Sequence, residues 1–104
     1  MKLLVNKLFG KFAIFAIIIF TSMSIASAKV KVVSTFSILG DMVQNIGGNN
    51  IELTTLVGAN GDGHVYEPTP ADAKSVAAAE VVFVNGLGFE GWIDRLVKAS
   101  GYKG

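Results

Sequence analysis

Residues 51–84 read IELTTLVGANGDGHVYEPTPADAKSVAAAEVVFV, and this stretch decides the fold. Ile51 to Val57 carries Thr54, Thr55 and Val57, whose branched Cβ atoms favour the extended state. Val81-Val82-Phe83-Val84 is a continuous apolar run of strand length. Between them, Thr69-Pro70-Ala71-Asp72 is a helix start. Thr69 can accept a backbone N–H, Pro70 fits the first helical position because no donor is needed there, and Asp72 closes a capping box. The helix then extends from Pro70 to Glu80, with Ala73, Val76 and Ala77 small enough to approach a sheet closely. A strand, a helix and a second strand in this order imply a parallel pair joined by a right-handed crossover.

Working outward, Lys29 to Ser34 reads as another strand, with Val30, Val32 and Val33 suited to burial on both faces. Phe36 to Ile46 places Ile38, Leu39, Met42, Val43 and Ile46 on one helical stripe, and Gly47-Gly48 ends it. Beyond Val84, Asn85-Gly86-Leu87-Gly88 turns the chain. From there Phe89, Trp92, Ile93, Leu96 and Val97 recur at helical spacing, with Asp94, Arg95 and Lys98 on the opposite face. The alternation predicts an α/β fold: a parallel sheet with helices on both faces. In such sheets the loops leaving the carboxyl ends of the strands gather at one edge and form ligand sites. Three segments meet that description: Thr35 to Ser37, Gly58 to Pro68 and Asn85 to Glu90.

The first 28 residues read as a signal peptide rather than as part of this fold. Lys2, Lys7 and Lys11 precede the apolar run from Phe12 to Phe20, and Ala26-Ser27-Ala28 has the small-x-small form that precedes cleavage. The run falls short of the ~20 residues that a membrane span requires. Cleavage after Ala28 leaves residues 29–104 as one incomplete amino-terminal lobe. That part carries six basic and eight acidic side chains, a net charge of −2, although the whole chain is +1. With no basic stripe to neutralise phosphates, nucleic acid is not an expected partner. The chain has no cysteine. Export without disulfides suits the periplasm, and no lipid-anchoring cysteine follows the signal, so a free, monomeric product is expected.

Chemistry concentrates in the loop before the Thr69 cap. His64 is the only histidine, it is flanked by glycine, and it has Asp62 and Glu67 as nearby carboxylates. One imidazole with weak support from Asp62 or Glu67 suits a contributor to a metal site but does not make one, because zinc takes about four ligands, and on the residue alone a solvated loop histidine is the commoner reading. Gly86-Leu87-Gly88-Phe89-Glu90-Gly91 matches the dinucleotide pattern, but it follows the third strand rather than opening the fold, and a tight turn accounts for its glycines. No serine elbow or second histidine supports hydrolysis. Glu80 and Glu90 read as solvated carboxylates, and Phe89 and Trp92 as core.

The string Gly61-Asp-Gly-His-Val-Tyr-Glu-Pro-Thr-Pro-Ala-Asp72 closely resembles the first metal-ligand segment of the solute-binding proteins of zinc and manganese ABC transporters, the TroA-like family. Val33-Ser-Thr-Phe-Ser-Ile-Leu-Gly-Asp41 resembles the family's opening strand and helix, and Asn85-Gly-Leu-Gly-Phe-Glu-Gly-Trp92 its third strand–helix junction. The resemblance implies a periplasmic receptor with two α/β lobes that captures a divalent metal between them and delivers it to an inner-membrane ABC permease. It implies Zn2+ or Mn2+ as transported ligand, His64 as the first metal ligand, and no enzymatic activity. The family's remaining ligands lie beyond Gly104, and Gly63 stands where many relatives have proline.

Three expectations follow. The chain alone should not bind metal tightly. Its strand edges and the apolar sides of Trp92 and Leu96 should lack cover. Imidazole serves zinc and manganese alike, so the sequence does not separate them. A nucleotide-binding α/β enzyme fragment and a secreted adhesin-like interaction protein are the other classes left open.

Overall fold

The computed structural model describes residues 28–104; the expected signal peptide lies outside the described residues apart from Ala28. Strand β1 spans Val30–Phe36, helix α1 Ser37–Gly47 and strand β2 Ile51–Val57. Helix α2 spans Pro70–Ala78, strand β3 Val81–Phe83 and helix α3 Ile93–Ser100. The three strands form one sheet in the order β2-β1-β3, and both pairings are parallel.

That strand order follows from the connections. The chain leaves β1 through α1 to reach β2 on one side, then crosses back over β1 through α2 to reach β3. Right-handed crossovers running in opposite directions place their helices on opposite faces. On one face, Val33 lies in register with Thr54 and Val82. Here Val33, Val57, Val76, Trp92, Ile93 and Leu96 form the core, with Leu56 and Ala79. The other face takes α1 against Ser34 and Thr55, which pair with each other across the sheet.

Helix α1 docks differently from its apolar pattern. Ile38, Met42 and Ile46 are 69%, 57% and 88% exposed, and the buried position is Gly40. A Cβ on Gly40 would lie 2.5 Å from Thr55 Oγ1 and 2.9 Å from Ser34 Oγ. The helix therefore approaches the sheet along Gly40, Val43 and Gly47, its smaller residues, and turns the ridge of long side chains outward. Shape complementarity to two hydroxyl side chains outweighs the stripe's hydrophobicity, because only a residue without a side chain admits the backbone this close.

The expected helix from Phe89 starts later, at Ile93. Residues 89–92 instead lie across the carboxyl ends of the strands. Trp92 and Leu96 are buried, contrary to the expectation that they lack cover. Besides the outward ridge of α1, apolar side chains stand open on β3, at Val81 and Phe83, and at Val84 just after it. Their continuous apolar run suits an interior strand, yet β3 is one of the two outer strands among the described residues. Among the described residues no helix is long and apolar enough to cross a membrane.

Candidate functional site

The loop of residues 58–69 leaves the carboxyl end of β2 and is built from both ends. Near its entry, Gly61 N–H donates to Gly58 O at 2.9 Å, a turn that brings the chain back toward β1. At its exit the expected capping box is present. Asp72 N–H donates to Thr69 Oγ1 at 3.2 Å, and Thr69 N–H donates to Asp72 Oδ2 at 2.8 Å. Asp72 does more than cap. The Tyr66 hydroxyl donates to Asp72 Oδ2 at 2.7 Å, and that bond, then burial, then the carboxylate's charge hold the phenol above its ordinary value. Asp72→Ala should cost about 1–2 kcal/mol and let Tyr66 ionise closer to 10.0. Urea unfolding and a spectrophotometric tyrosine titration check the two parts.

Within this frame His64 and Asp62 are exposed. They meet through the backbone: His64 N–H donates to Asp62 Oδ1 at 2.9 Å. Glu67 is exposed as well. Among the described residues no group of three or more histidine, aspartate or glutamate side chains converges as a metal site. The imidazole ring rests 5.9 Å from the Phe89 ring, and Phe89 lies 5.2 Å from Phe36, centroid to centroid.

Beneath the ring stack lies Gly63, which is buried. A Cβ there would meet Phe89 at 3.1 Å and Phe36 at 3.3 Å. Its carbonyl accepts the Trp92 indole N–H at 2.8 Å in a buried bond. The Trp92 ring also packs edge-on against Tyr66 at 5.1 Å.

Glu90 anchors the same region. Expected to be solvated, it is only 4% exposed. Its Oε2 accepts the Thr35 hydroxyl and the Asn85 N–H, both at 2.6 Å, and its Oε1 accepts the Gly86 N–H at 3.0 Å. Burial pushes the carboxyl up. The Thr35 hydroxyl and the surrounding backbone N–H groups outweigh this and hold it below its ordinary value. The turn that delivers Glu90 runs through positive φ at Gly86 (79°), Leu87 (58°) and Gly88 (79°). The glycines of the dinucleotide-like pattern thus form a left-handed turn that folds a carboxylate back onto its own backbone.

A parallel sheet with helices on both faces and its loops gathered at the carboxyl edge defines part of an α/β lobe of the doubly wound class. The family described as "Zinc-uptake complex component A periplasmic" matches residues 32–104, and the chain belongs to it. The manganese-binding lipoprotein MntA of Halalkalibacterium halodurans is 47% identical over 65% of this chain and 23% of its own length. The manganese ABC transporter substrate-binding lipoprotein PsaA of Streptococcus pneumoniae is 44% identical over 75% of this chain and 26% of its own. The Mn-bound periplasmic metal binding protein of Candidatus Liberibacter asiaticus is 39% identical with a TM-score of 0.66. That match covers 73% of this chain and 27% of the other. The chain therefore spans about a quarter of the length of the curated relatives it matches.

Sequence reasoning singled out His64, which the structure places exposed on the loop, and predicted the Thr69–Asp72 cap, which is present. It missed Glu90 and the contact between Trp92 and the loop. Glu90 follows two glycines after a strand, a placement that can return a side chain to the strand ends, but nothing local distinguishes that outcome from exposure. The Trp92 bond spans 29 residues, and no local pattern encodes it.

Proposed function

We propose that this chain contributes the first metal-binding segment of an extracytoplasmic solute-binding protein, one that captures zinc or manganese and hands it to an ABC permease in the inner membrane. The observation that carries the reading is the position of His64. It is the chain's only imidazole, held at the carboxyl edge of a parallel sheet in a member of a zinc-uptake family. The metal is cargo, and the role is binding rather than catalysis. His64 supplies one neutral imidazole nitrogen, and the rest of the shell comes from elsewhere in a protein of the relatives' length.

Export with cleavage after Ala28 fits the charged, apolar and small-residue order of the leader, and a monomer fits a receptor of this kind. The relatives named above include lipoproteins. These 104 residues hold no cysteine and so offer no thiol for a lipid.

One ligand should bind weakly. Calorimetry of residues 29–104 with Zn2+ is expected to give no sub-micromolar affinity; tight binding that His64→Ala abolishes would overturn the account of a partial shell. The weak binding that remains should follow His64. On zinc addition the single imidazole Cε1–H resonance should shift, and the shift should fade in acid because a protonated imidazole cannot coordinate. Zinc binding that leaves that resonance unmoved would remove His64 from the role.

A further inference from the structure

An exposed histidine on a glycine-rich loop has many orientations available, and each one lost on binding weakens the complex. His64 makes no side-chain hydrogen bond among the described residues, so its restraint must come from the backbone before it and the ring beside it. Both are present. The peptide unit joining Gly63 to His64 is held from its two opposite poles: its C=O accepts the Trp92 indole N–H at 2.8 Å, and its N–H donates to Asp62 Oδ1 at 2.9 Å. A peptide unit is planar, so two bonds on opposite sides fix the plane and with it the position of the His64 Cα and the direction of its N–Cα bond, about which the imidazole is carried. Phe36 and Phe89 close on Gly63, and Phe89 faces the imidazole. Glu90, between Phe89 and Trp92, is itself pinned to Thr35, Asn85 and Gly86.

We propose that Trp92 and Asp62 are positioning residues for His64. They orient the imidazole by clamping the Gly63–His64 peptide plane, and the segment Phe89-Glu90-Gly91-Trp92 ties that clamp to the sheet. Asp62 thereby acts through an acceptor oxygen on the backbone rather than as a metal ligand. The effect on metal binding rests on the reading of His64 as a ligand; the clamp itself does not.

The test uses the full chain, whose single histidine and single tryptophan give one imidazole Cε1–H and one indole N–H resonance. Loss of one clamp bond should weaken Zn2+ binding, followed at the imidazole, about fivefold. This is the result expected for Trp92→Phe and for Asp62→Ala. Asp62→Asn keeps the acceptor oxygen and should stay within about twofold of the parent. Trp92→Phe and Asp62→Ala both within twofold of the parent would overturn the proposal, and Asp62→Asn as weak as Asp62→Ala would show a coordinating carboxylate instead of a positioning one.

Amide hydrogen exchange at His64 without metal separates the clamp from the ligand reading. Exchange should rise about fivefold in Asp62→Ala and in Trp92→Phe and stay near the parent's in Asp62→Asn. Unchanged exchange in Asp62→Ala overturns the clamp, even if Trp92→Phe does not fold. If the parent's imidazole ignores zinc while exchange responds as expected, the ligand reading fails and the clamp stands.

Discussion

Glu90→Ala should lower the unfolding free energy by about 3 kcal/mol, because it leaves the buried Thr35 hydroxyl and two half-buried backbone N–H groups without their acceptor. An exposed glutamate would cost a few tenths at most. Glu90→Gln should cost about half as much, since one oxygen still accepts while the amide –NH2 faces donors. The pH dependence follows from the direction of the shift. The folded-state carboxyl titrates below its ordinary value of 4.5, so its stabilisation is fully present above that value. It is lost as pH falls through the lower, folded-state value. Urea unfolding of the parent and of Glu90→Gln at a series of acidic pH values checks this. The difference between the two should shrink toward acid, and a constant difference would contradict the assignment.

Gly40→Ala should destabilise by about 2 kcal/mol even though alanine is the better helix former. The new Cβ would sit 2.5 Å from Thr55 Oγ1 and 2.9 Å from Ser34 Oγ. Ser34 cannot move freely, because its hydroxyl donates to Phe36 O at 3.0 Å. Either α1 lifts from the sheet or that bond breaks. Gly91→Ala is the matched control: a Cβ there meets nothing within 4 Å, and the change should be near neutral. Thermal or urea unfolding of the pair measures the contrast, and equal effects would show that α1 tolerates a small retreat from β1 and β2.

These two positions also mark where the sequence was readable. The stripe Ile38, Leu39, Met42, Val43 and Ile46 reads as the buried face of α1, whereas the residue the structure buries there is Gly40. The helix was legible because 3.6-residue periodicity is a local property. Its docking face was not, because Ser34 and Thr55 shape the surface it meets. Glu90 is parallel: as a residue it reads as solvated, and only the turn at Gly86, Leu87 and Gly88 brings its carboxylate onto Thr35, 55 positions away in the chain.

By itself the sequence determined the alternation of strands and helices, the capping box at Thr69 and Asp72, and His64 as the one imidazole in a motif resembling a known metal-ligand segment. All of these depend on composition and on neighbours within a few residues. The tertiary structure alone decided which face of α1 is buried, that Glu90 is an internal acceptor, and that Trp92 reaches the carbonyl just before His64. The face of α1 depends on Ser34 and Thr55 being paired across β1 and β2, and the Glu90 and Trp92 contacts exist only once parallel strands have drawn their carboxyl-end loops together.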